Sequence, residues 1–138
     1  MKYTLHYLLM ADHGMVQKKL FAKIKDLGLS MGQPKVLDYL KDRDGAVQKD
    51  IAKGCHIEPA SLSTILGGME KKGLIIRRMQ EDNRRNLKVY LTDRGRELGA
   101  EITKNFSEIE EAALAGFSEE EAEKLQSYLT RIYKNLEA

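Results

Sequence analysis

Between Tyr3 and Leu27 apolar residues recur at three- and four-residue steps, at Leu5, Leu8, Leu9, Val16, Leu20, Ile24 and Leu27. That period predicts an amphipathic helix, stopped by Gly28. Ser30 is the N-cap candidate of a second helix, with Gln33 at capping-box spacing, Pro34 tolerable within the first turn, and Val36, Leu37 and Leu40 as the buried stripe. Asp44-Gly45 reads as a turn, after which Val47, Ile51 and Ala52 mark a short helix ending near Gly54. Glu58-Pro59 opens the next helix, because proline has its φ preset for the first helical positions and no amide hydrogen to lose there. Its Leu62, Ile65, Leu66 and Met69 share one face, which goes to a core, while the other side carries Ser61, Ser63, Thr64, Gly67 and Gly68.

Past Gly73 the pattern changes. Leu74–Arg78 and Leu87–Leu91 read as strands joined by a polar loop of Asp, Asn and Arg, so a β-hairpin with a long basic tip is expected. Thr92 is the N-cap candidate of a long helix, with Asp93 set against the positive end of the helix dipole and Leu98, Ile102, Phe106, Ile109 and Ala113 facing inward. Gly116 closes that helix. Phe117 and Ser118, with Glu121 completing a capping box, start a last helix whose Leu125, Leu129, Ile132 and Leu136 are expected to face inward.

Composition places this pattern in one folded domain of 138 residues: 42% apolar, 32% charged and only 2 Pro is far from the signature of disorder. The longest apolar run, Tyr7–Ala11, is too short for a membrane span or a signal-peptide core, so no membrane partner is expected. The single cysteine, Cys55, cannot form an internal disulfide, and no Cys/His cluster has zinc-ligand spacing; a reducing cytoplasm fits. The net charge of +2 is unevenly spread. Residues 71–96 hold 9 basic against 3 acidic side chains, a footprint suited to a polyanion, whereas 107–123 carry 7 glutamates and no base.

Helix, turn, helix and then a two-stranded wing is the layout of a winged helix-turn-helix, in which the second helix of the pair enters the major groove of DNA. Residues 47–95 resemble the multiple-antibiotic-resistance regulator (MarR) family through Gln48…Ile51-Ala52, Ile57-Glu58-Pro59-Ala60-Ser61-Leu62-Ser63, Glu70-Lys71-Lys72-Gly73-Leu74-Ile75, Asn83-Arg84-Arg85 and Val89-Tyr90-Leu91-Thr92-Asp93-Arg94-Gly95. The resemblance implies a mainly α fold with a small β-hairpin wing, an N-terminal dimerisation helix over 1–28, a winged lobe over 30–91, and a long helix plus C-terminal dimerisation helix over 92–138. It implies a homodimer that reads a pseudo-palindromic double-stranded operator, represses transcription and responds to a small-molecule effector. The implied DNA contacts are Ser61, Ser63, Thr64 and Gly67 on the recognition helix 59–72, and Arg84 and Arg85 on the wing 79–86. Three positions depart from the family: Asn83 replaces the wing aspartate, and Thr64 and Gly68 stand where arginine is frequent. Hydroxyls discriminate bases less sharply than a bidentate arginine, so affinity is expected to lean on phosphate and minor-groove contacts.

His6, Met10 and His13 lie near the family's effector cleft and are candidate effector contacts. His6 and His13 are seven residues apart with no i,i+4 partner, a poor metal site, and no metal is expected. Cys55 falls where an apolar residue is usual and is expected in the core, and His56 occupies a turn position suited to positive φ. No Ser/His/Asp constellation, paired catalytic carboxylates or phosphate-cradling glycine loop is present, so neither enzymatic activity nor a cofactor is expected. Two alternatives stay open: a winged-helix module that docks a protein through the acidic stretch, and a metal-responsive regulator.

Overall fold

The structure is a computed structural model that describes residues 2–80 and 83–137, with the side chains of residue 80 and of residues 83–85 outside that description. Its elements are α1 (Leu5–Ile24), a 3-10 turn (Lys25–Leu27), α2 (Gln33–Leu40), β1 (Ala46–Val47), α3 (Gln48–Cys55), α4 (Pro59–Lys71), β2 (Ile75–Gln80), β3 (Asn83–Leu91), α5 (Asp93–Ala113) and α6 (Glu119–Glu137). The chain divides into two compact units, Met1–Phe106 and Ser107–Ala138. A mainly helical chain with a small antiparallel wing is the expected class.

In the first unit the core gathers Val36, Leu37 and Leu40 of α2, Ile51 of α3, Leu62, Leu66 and Met69 of α4, Leu74, Ile75 and Val89 at the wing base, and Ile102 of α5. Each such side chain contributes about 1.5–3 kcal/mol by leaving water, which is what holds these short elements together. The sheet order is β1-β3-β2, all antiparallel, with Ala46 opposite Val89 and Ile75 opposite Leu91. β1 has only two residues, too few to show a period in sequence, and it exists because β3 offers a free edge.

The Leu-Thr-x-x-Gly stretch turns out to be a three-way junction. The Thr92 hydroxyl donates to the Gly73 carbonyl at 2.7 Å and accepts from the Gly95 amide at 3.0 Å, while the Thr92 amide donates to the Leu74 carbonyl at 3.0 Å. A Cβ at Gly95 would collide with the Leu74 carbonyl oxygen, so glycine alone lets α5 sit this close to the wing. Asp44 adds a second tie, accepting from the Leu91 amide at 2.7 Å and from Arg96 at 3.0 Å.

Several expectations need correction. α2 begins at Gln33, not at Ser30, because Gly32 takes a left-handed φ of 87° and interrupts the path. Only half of the capping box forms: Gln33 Oε1 accepts the Ser30 amide at 3.0 Å, while the Ser30 hydroxyl accepts from Lys72 at 3.2 Å. The strands reach further toward the tip of the hairpin than expected, β2 to Gln80 and β3 from Asn83, with a register shift between Met79 and Gln80. Cys55 is half-buried, with Sγ 3.8 Å from the Lys35 carbonyl, and is not a core residue. Along α1 only Leu20 and Ile24 are buried, leaving Leu5, Leu8 and Leu9 in solvent.

In the second unit the Ser118–Glu121 capping box forms reciprocally, at 2.9 and 3.1 Å. No α6 residue is buried, however, and Leu125, Leu129 and Leu136 are exposed, against the expectation that they face inward.

Candidate nucleic-acid interface

α3 and α4 are joined by a turn that His56 makes possible. It sits at φ 54°, ψ 48°, the left-handed region that histidine tolerates better than bulky apolar residues, as its position suggests. The Ile57 amide then donates to the Ala52 carbonyl at 2.9 Å, and extended Glu58 hands the chain to Pro59 at the start of α4. With Leu62, Leu66 and Met69 locked inward, the 3.6-residue period puts Ala60, Thr64, Gly67 and Lys71 on the opposite, outward side. Ala60, Thr64 and Lys71 are exposed and Gly67 is half-exposed.

Of the four recognition-helix candidates, Thr64 and Gly67 therefore share the outermost line. Ser63 stands on one flank, on the same side as Glu70 one heptad on, and Ser61 stands on the other. Ser61 lines a cavity instead of the outward face. Ala60 and Lys71, absent from the expected set, complete the line; their i, i+4, i+7, i+11 spacing with Thr64 and Gly67 is the signal that finds them. Arg84 and Arg85 belong by backbone to the start of β3, but their side chains lie outside the described residues.

Most cations near the wing have internal partners. Arg77 makes a two-pronged contact with Glu70 at 3.1 and 3.5 Å, which holds that carboxyl below the usual carboxylate range. The Arg78 guanidinium lies 5.8 Å from the centre of the Tyr90 ring, and Lys72 donates to Gln33 Oε1 at 2.8 Å. Arg96 bridges Asp44 and Asp93. Lys71 enters no ion pair among the described residues and is free to meet a phosphate.

Behind α4 lies a cavity of about 470 Å³, walled by α1 (His13, Leu20, Phe21), α2 (Pro34, Lys35), the α3–α4 turn (His56, Glu58), α4 (Ser61, Ile65) and Phe106 of α5. Volume and lining fit a small-molecule site. Of the three effector candidates only His13 reaches it; His6 and Met10 are exposed, about two turns and one turn nearer the N-terminus of α1, and do not line it. Among the described residues no three His, Cys, Asp or Glu side chains gather as a metal site, and no helix is long and apolar enough to cross a membrane.

The sequence profile of the MarR family matches residues 29–87. YybA of Bacillus subtilis, described as an uncharacterized HTH-type transcriptional regulator, is 26% identical over 133 residues, covering 94% of this chain and 89% of its own. The chain superposes on S. aureus MepR in complex with DNA at a TM-score of 0.88 with 29% identity, covering 97% of this chain and 99% of MepR. Against S. aureus MepR in its DNA-binding conformation the TM-score is 0.84 with 32% identity, over 97% and 99% of the two chains.

Proposed function

This chain belongs to the MarR family of transcriptional regulators, and from that premise we propose that it is a homodimeric repressor that holds a pseudo-palindromic operator and releases it when a small molecule binds. The observation that carries the DNA reading is the outward line of α4. Ala60, Thr64, Gly67 and Lys71 form a low, uncluttered ridge on a helix whose other side is fixed to the core. Small side chains let such a helix sit deep in a major groove, and a two-fold pair would place two of them about 34 Å apart. In this reading Ser63, on the flank of that line, is the contact to a phosphate, and Arg84 and Arg85 of the wing are the contacts to the adjacent minor groove.

Dimer formation is supported by the apolar stripes left in solvent on α1 and α6. Effector response is supported by the cavity, because Ser61 and Ile65 of α4 form part of its wall. A ligand there bears on the recognition helix itself, and it weakens DNA binding to the extent that it prefers the unbound state. His13 and Gln17 from α1 and Lys35 from α2 are polar contacts such a ligand would meet.

The test is binding of the purified protein to duplexes from its own upstream region across a series of salt concentrations. The expected result is one tightly bound duplex, with log affinity falling linearly against log salt. Lys71→Ala should lower the magnitude of that slope by about 0.9, the value of one lost phosphate contact. Equal, weak affinity for every duplex would contradict sequence-specific regulation.

A further inference from the structure

On the outward line of α4 only Lys71, at the C-terminal end of the helix, is of a type that reads guanine, and there it is assigned to a phosphate. No arginine stands on the outward line of α4, and the carboxylate of Glu70, which could accept from a cytosine amino group, is engaged by Arg77 at 3.1 Å. Ser61 is turned to the cavity. The Thr64 hydroxyl, the remaining polar group at the centre of the line, donates back to the Ala60 carbonyl at 3.4 Å. With its hydroxyl hydrogen given to its own helix, the exposed β-branched side chain has a methyl group to offer a base edge, one turn from the methyl of Ala60. Gly67, one turn further on, has open space around it, since an added Cβ would meet only Arg77 Nη2 at 3.9 Å.

We infer that Ala60 and Thr64 are the specificity-determining residues of the protein and that they read the 5-methyl groups of thymines in the major groove. This rests on α4 being the groove-facing helix. Apolar contact with the thymine methyl is the base-edge interaction open to alanine, and it is the one that a threonine whose hydroxyl hydrogen is committed to its own helix shares with it. The absence of a side chain at Gly67 lets the helix come close enough for these short groups to reach. Each operator half-site should then carry thymines at two neighbouring positions, with recognition depending on their methyl groups and not on their hydrogen-bonding edges.

The experiment first selects a binding duplex from random double-stranded DNA with the purified protein. Deoxyuridine then replaces thymidine one position at a time, which deletes only the methyl and leaves base pairing intact. The expected result is a three- to fivefold loss of affinity at two positions per half-site and none elsewhere, the size of one methyl contact. Thr64→Val, which keeps the methyl and removes the hydroxyl, should preserve the discrimination, while Thr64→Ser, which does the reverse, should abolish it at one of the two positions. Thr64 is exposed, so both variants should fold, as circular dichroism would verify. A selected duplex that binds tightly but is indifferent to uracil at every position overturns methyl readout and leaves DNA binding standing. Failure to select any duplex overturns both.

Discussion

Gly67 and Gly95 both lie in helices, yet adding one methyl group should move them in opposite directions. At Gly95 the added carbon strikes the Leu74 backbone carbonyl, which cannot rotate away, so Gly95→Ala should cost about 2 kcal/mol or more in urea unfolding. At Gly67 it meets open space, so Gly67→Ala should gain close to 1 kcal/mol from helix propensity while weakening operator binding several-fold. A variant that is less stable at Gly67, or binds better, would contradict the role given to that face. Glu70 supplies a pH test. Its carboxyl is held below the ordinary range by Arg77, so its contribution is present above the unfolded-state pKa of about 4.3 and is lost as pH falls through the folded value. The pair is partly solvent-exposed, so Glu70→Gln should cost well under 1 kcal/mol at pH 7 and nothing near pH 2. Burial raises the Cys55 thiol pKa against the smaller opposing pull of Lys35 and Arg43, so its alkylation at neutral pH should run slower than that of a free thiol. Residues whose roles depend on their own few neighbours were readable from sequence: His56 in its left-handed turn, Thr92 at its cap, Ser118 with Glu121. Ser30 was not, because Lys72, 42 positions away, takes the hydroxyl that local spacing assigns to a cap.

Among the elements, α4 shows why a list of polar residues on one side of a helix is not yet an interface. Ser61 and Thr64 differ by three positions and both are exposed, but one edges the cavity and the other the outward line. Distinguishing them needs the neighbours α1 and α2, whose placement no single-helix pattern contains. The wing was legible as a hairpin and misjudged in length, because its strands are held by backbone pairing across a register offset and not by alternating hydrophobicity. Filling the cavity from the α4 side should separate its role from that of the outward line. Ser61→Phe should preserve operator binding within a few-fold and remove the effect of any molecule that otherwise releases the DNA. Loss of binding with that variant, equal to the loss from Gly67→Ala, would place Ser61 on the groove side after all.

For the whole molecule, the stripes on α1 and α6 carry the argument. The sequence period correctly marks them as apolar, but a period cannot say whose surface covers them; within one chain, Leu5, Leu125, Leu129 and Leu136 stay in solvent. Exposed apolar side chains on helices of both units support the proposed association of two chains. Two chains together should hold one duplex. Sedimentation velocity of the protein with its selected operator measures this directly. The expected result is a dimer that binds as a unit, two chains to one duplex, with half-sites about one helical turn apart. A stable single chain that binds one duplex at a single half-site, or that binds none, would contradict it.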